Sequence, residues 1–183
     1  IKNIKNINNF DIIVLAVKPQ KVLEVMYDLK SITNKKILFL SIIAGKRISF
    51  FENFFKHPIQ LIRAMPNMPV FVGKGITSLI DNKKTLLKNR KSAESLFSGV
   101  GEVIWLKKES DIDRVTAISG SGPGYFFLFI EYLISAGIKL NLDKKIVKKL
   151  VYQTAIGSID LLSRERRNVT EMRKSIAIKG GTT

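Results

Sequence analysis

At 183 residues and 45% hydrophobic content, the chain can bury one medium core or two small ones, which excludes disorder. It holds no cysteine and one histidine, His57, so disulfides, thiolate zinc sites, a cysteine nucleophile and a multi-histidine metal site within the chain are excluded, and a reducing, cytoplasmic setting is expected. A formal charge of +16 raises nucleic acid or anionic membrane as partners, but the lysines are scattered through every segment and no aromatic residues interleave with a basic stripe, so no nucleic acid and no membrane partner is expected.

The N-terminus, Ile1-Lys-Asn-Ile-Lys-Asn-Ile-Asn-Asn9, shows no secretory signal, and the missing initiator methionine suggests a start further upstream. Asp11 to Val17 is a continuous apolar run halted by Lys18-Pro19, which predicts a buried parallel strand. Val22, Met26 and Leu29 then share a stripe over Gln20–Leu29, predicting a helix, and Lys36–Ile43 predicts a second buried strand. An amphipathic segment, Ile48–Phe55, leads to a strand at Ile59–Ile62. Further strands are predicted at Gly75–Ile80 and Val103–Leu106, separated by a lysine-rich helix near Lys83–Ser98. Alternation at this spacing argues an α/β layer with a parallel sheet.

Beyond Lys107 the pattern changes to helices alone, punctuated at Gly120-Ser-Gly-Pro123, Gly137 and Asn141-Leu-Asp143, where either Asn or Asp could cap. The expected division is therefore 1–106 and 107–183. No stretch reaches the ~18–20 apolar residues of a membrane span, so a soluble protein is expected.

Four segments stand out chemically. Ala16-Val17-Lys18-Pro19 and Ile43-Ala44-Gly45 close two strands at the edge where a doubly wound sheet takes a dinucleotide, and their small residues would let a cofactor lie close. Ordinary strand-ending turns use the same residues. No glycine-rich pyrophosphate loop precedes Asp11, so about one to two βαβ units of ~30 residues are expected upstream. Arg63-Ala-Met-Pro-Asn-Met-Pro69 places two prolines at a strand end and presents Asn67 rigidly, either toward a cofactor amide or in a self-bonded turn. Asp113-Arg-Val-Thr-Ala-Ile-Ser-Gly-Ser-Gly-Pro-Gly-Tyr125 opens a helix that is apolar almost all round from Tyr125 to Ile134, more girth than this chain can cover, which predicts a homodimer, the alternative being a helix central to a monomeric bundle. Finally Gly180-Gly181-Thr182-Thr183 offers consecutive amides and two hydroxyls to an anion, or forms a flexible tail. His57 lacks a Gly-x-Ser-x-Gly partner and reads as a surface histidine.

Together these segments resemble pyrroline-5-carboxylate reductase over nearly the whole chain. The resemblance implies a partial Rossmann-type parallel sheet followed by an all-α dimerisation domain, a homodimer or higher oligomer, and reduction of 1-pyrroline-5-carboxylate to L-proline with NADPH or NADH. It implies that Ala16, Val17, Lys18, Pro19, Ala44, Gly45 and Asn67 border the cofactor. Gly180, Gly181 and Thr182, beside Ser119 and Ser121, would hold the substrate carboxylate, and Thr183 would hydrogen-bond the ring nitrogen. No metal is called for.

Some positions depart from the family pattern. Ala177-Ile178-Lys179 stands for the usual Thr-Ser-Pro, Lys174 for an Asp, Asn168-Val169 for His-Pro, and Gly124 for Ala. Four alternatives stay open: a decayed or fragmentary copy, a non-catalytic oligomerisation module, a related Rossmann-type imine or deazaflavin reductase, and a basic nucleic-acid binder.

Overall fold

The apolar runs of the first half become five adjacent strands. The computed structural model describes residues 7–30, 32, 36–55, 57–165 and 167–177. Strands β1 (Ile12–Leu15), β2 (Leu38–Ser41), β3 (Gln60–Met65), β4 (Gly75–Asp81) and β5 (Gly101–Trp105) lie side by side in chain order. β1, β2 and β3 are parallel, with Leu15 opposite Ser41 and Ser41 opposite Arg63, so their carboxyl ends share one edge. β4 departs from the expected parallel sheet by running antiparallel to β3. The link between them, residues 66–74, is shorter than the roughly dozen residues a crossover needs, and it turns back through a 3-10 segment at Met68–Val72. β5 is parallel to β4.

Period-two alternation sorts the strand residues onto two faces. Leu15, Phe39, Leu61 and Ile80 pack with α1 (Val22–Leu29), α2 (Ile48–Glu52) and Ile112 of α4 (Asp111–Val115). Leu38, Leu40, Ile62, Ala64 and Leu79 pack with Ala93 and Phe97 of α3 (Leu87–Ser98) on the other. The helix expected from Lys83 begins later because the turn before it is tied to β3: Thr85 Oγ1 donates to Leu61 O at 3.1 Å and the Leu86 N–H donates to Gln60 Oε1 at 3.0 Å. At the β4–β5 entrance two glycines meet back to back. A Cβ on Gly101, whose φ is +145°, would land on the Gly75 carbonyl.

No strand follows Trp105 among the described residues, and the helices there are α4, α5 (Gly122–Lys139), α6 (Lys144–Arg164) and α7 (Val169–Ile176). Compactness divides the chain later than the change of pattern, into one unit ending at Pro123 and another beginning at Gly124. Ile112 explains the difference, since its burial in the sheet's core keeps α4 with the first unit.

In the second unit, α5 does not break at Gly137 as expected. The glycine lets α6 approach, because a Cβ there would sit 2.7 Å from a methyl of Val147. Asn141 and Asp143 divide the capping work. Asn141 takes the left-handed conformation, φ +62°, just past α5, and Asp143 Oδ1 accepts the Lys145 and Ile146 N–H groups at 2.8 and 3.1 Å.

Candidate active site

The motif around Gly120 folds as a π turn, Thr116–Gly120, inserted after α4. Its wide ring is closed by the Ser121 N–H donating to Thr116 O at 2.8 Å, a five-residue span. Such turns concentrate at functional sites because the extra residue redirects the backbone. Gly120 makes the approach to the sheet close: a Cβ would lie 3.1 Å from Met65 Cε and 3.2 Å from Thr116 Cγ2, so a larger residue would need these side chains to give by a few tenths of an ångström. The π turn thus sits against the last residue of β3, at the edge shared by the carboxyl ends of β1, β2 and β3.

That edge gathers most of the expected site. Ala16, Lys18 and Pro19 follow β1 and are exposed, with Val17 half-buried between them. Ala44 and Gly45 follow β2, both exposed, and a Cβ on Gly45, at φ +71°, would meet nothing within 4 Å. Asn67 follows β3, half-buried, and is not bonded within its own loop: its Oδ1 accepts the Ile76 N–H of β4 at 2.9 Å. The carbonyl end therefore fixes the Pro66-Asn67 backbone and leaves Nδ2 as the group that can donate to a ligand.

Of the two serines, Ser119 is half-buried and spends its hydroxyl proton on Val115 O at 3.0 Å, so toward a ligand it is an acceptor. Ser121 is exposed at the end of the π turn. Gly180, Gly181, Thr182 and Thr183 lie outside the described residues. His57 is half-buried at the surface, its Nε2 2.8 Å from Ile32 O and its Nδ1 3.1 Å from Pro58 O. Among the described residues no group of three or more His, Cys, Asp or Glu side chains could hold a metal.

Two residues that sequence reasoning passed over stand behind this edge. Arg63, in the middle of β3, is a buried cation paired with Glu109 at 3.0 Å. The signal was available, since Arg63 is the one charge in a mostly apolar strand, but its partner lies 46 residues away.

The second unit carries little internal core. Among its described residues only Val147 is fully buried. Phe126, Phe129, Ile130 and Leu133 of α5 face Val151, Ala155 and Ile159 of α6 across an apolar cleft of about 290 Å³. Phe127, Tyr125 and Tyr132 remain more than half exposed. No helix among the described residues is long and apolar enough to cross a membrane.

A sheet whose strand ends carry small residues, with a π turn against the last residue of β3, defines a Rossmann-type chain, and the helices that follow leave apolar girth exposed. Comparison with known proteins sharpens this. Residues 109–183 match the family described as pyrroline-5-carboxylate reductase dimerisation. A pyrroline-5-carboxylate reductase of Pseudomonas aeruginosa is 34% identical over 181 residues, 99% of this chain and 66% of its own length. One from Vibrio alginolyticus is 34% identical over 182 residues, 99% of this chain and 67% of its own. The solved reductase of Coxiella burnetii superposes with a TM-score of 0.86 at 34% identity, over 97% of this chain and 68% of that one. That of Plasmodium falciparum, with NADP bound, gives 0.88 at 35%, over 95% and 66%. The chain belongs to the pyrroline-5-carboxylate reductase family, and it spans about two thirds of the length of the curated relatives it matches.

Proposed function

We propose that the protein containing this chain reduces 1-pyrroline-5-carboxylate to L-proline with NADPH or NADH, as a homodimer or higher oligomer, in the cytoplasm and without nucleic-acid or membrane partners. In this reading residues 1–106 carry the dinucleotide and 107–183 serve association and substrate binding. The observation that supports it is the apposition of the π turn to Met65, the last residue of β3, whose carboxyl end shares an edge with those of β1 and β2, the strands that precede Ala16 and Ala44.

The nicotinamide, when bound, supplies hydride for the imine carbon. What this chain's residues supply is orientation. Ala16–Pro19 and Ala44–Gly45 border the dinucleotide, and Asn67 Nδ2 donates to the carboxamide. Amides of Gly180 to Thr182 hold the substrate carboxylate. Ser119, limited to accepting, and Ser121 border the ring, and Thr183 hydrogen-bonds the ring nitrogen so that the adjacent carbon stays electrophilic. No protein nucleophile or metal takes part.

The test is steady-state oxidation of NADPH on pyrroline-5-carboxylate by the complete protein, beside Thr183→Ala. Loss of a hydrogen bond to a charged group, about 1.5–3 kcal/mol, lowers kcat/KM roughly 10- to 150-fold and leaves the KM for NADPH in place. An active parent indifferent to the change would remove Thr183 from the site. An inactive parent that still self-associates would favour the non-catalytic module.

A further inference from the structure

Resting on that reading, we infer that Glu109 is a positioning residue: it ties the cofactor-side loop after β2 and the end of β3 to the substrate-side π turn. One carboxylate oxygen makes both ties. Glu109 Oε1 accepts the Ile48 N–H at 2.7 Å and Arg63 Nη1 at 3.0 Å, across sequence separations of 61 and 46 residues. Ile48 is the first residue of α2 and lies three residues beyond Gly45, so the upstream tie fixes the far end of the Ala44–Gly45 turn. Arg63 lies two residues before Met65 and four before Asn67, so the second tie holds the strand that delivers both.

The circuit closes on itself. Glu109 stands two residues before α4, α4 runs into the π turn, and Gly120 of that turn returns to Met65. Burial makes the tie a stiff one. The Arg63 side chain is 5% exposed and that of Glu109 26%, so the guanidinium has little water to fall back on. Asp113, 74% exposed and 4.0 Å from Arg63 Nη2, is the nearest substitute acceptor, but it cannot replace the bond to Ile48 N–H. A shift at Glu109 therefore moves the cofactor turn and the substrate loop together, which neither loop's own hydrogen bonds would do.

The experiment compares the complete parent protein with Glu109→Ala and Glu109→Gln, all assayed at a temperature where each is folded by circular dichroism. Glutamine keeps an oxygen that can accept from both Ile48 and Arg63, whereas alanine keeps neither tie. The alanine variant is expected to raise the KM for NADPH about tenfold and to lower kcat/KM for the imine on the order of 100-fold, the effect of an ångström-scale misplacement. The glutamine variant is expected to recover most of both. A purely structural role would lower the melting temperature of the alanine variant and leave both KM values and kcat unchanged, which would overturn the proposal while the function stood. A glutamine variant as impaired as alanine would overturn it too. An inactive parent would instead remove the function, and the positioning role with it.

Discussion

Replacing Phe129 with Asp should convert the protein from an oligomer to a monomer. Phe129 is 59% exposed within its own chain, in the middle of α5. An aromatic side chain offers about 200 Å² for burial, so about 120 Å² is available to a partner, or about 3 kcal/mol at 25 cal/mol per Å². A two-fold interface contains the residue twice, which brings the loss to about 6 kcal/mol, on the order of 10⁴-fold in dissociation constant before any penalty for a buried carboxylate. Light scattering behind a sizing column, run over a wide concentration range, reads the change directly. Because Phe129 also lines the cleft facing α6, far-UV circular dichroism must show that the helices persist. A parent monomeric at every concentration, or a variant that associates as tightly as the parent, would refute the argument from exposed girth.

Two stability predictions follow from single atoms. Ser78 Oγ is buried and has no hydrogen-bond partner, so Ser78→Ala should be neutral or stabilising by about 1 kcal/mol in urea unfolding, and a clear loss would reveal an internal water held there. Gly101→Ala should lower stability by at least about 2 kcal/mol, because the φ of +145° is strained for any side chain and the new methyl would meet the Gly75 carbonyl; an unchanged midpoint would mean that the β4–β5 entrance can part.

Strand and helix alternation was legible because strands leave short, mostly apolar runs such as Ile12–Val17 and Ile37–Ile43, but of these two only β2 is buried on both faces; β1, expected to be buried, is the edge strand of the described sheet and leaves Val14 half-exposed. Direction was harder to see. Nothing in the composition of Gly75–Asp81 distinguishes a parallel strand from an antiparallel one, and only the shortness of residues 66–74 carries that information. Gly137 misled for a related reason: a glycine that breaks a helix and one that admits a neighbouring helix look alike until Val147 is seen against it. The small residues Ala16, Ala44 and Gly45 could be placed at one edge of the sheet from sequence because they end predicted strands. Glu109 could not, since its meaning comes from bonds to Ile48 and Arg63 that only the folded sheet brings within reach.

The departures from the family pattern are not all of one kind. Where a His-Pro is usual, Asn168-Val169 opens α7, and Asn168 forms a capping box with Glu171: its Oδ1 accepts the Glu171 N–H at 3.0 Å, and Glu171 Oε2 accepts the Asn168 N–H at 3.1 Å. A proline at the first helical position needs no donor partner, whereas Val169 brings an amide; the two bonds of the box serve the N–H groups of Asn168 and Glu171 and set the start of the helix. Gly124 is different. A Cβ there would meet nothing within 4 Å, so packing within the chain gives no reason for glycine near the start of α5, where it weakens the helix relative to alanine by about 0.5–1 kcal/mol. The Asn168–Glu171 pair thus holds the start of α7 to a defined geometry, whereas Gly124 relaxes the start of α5 with no packing in return.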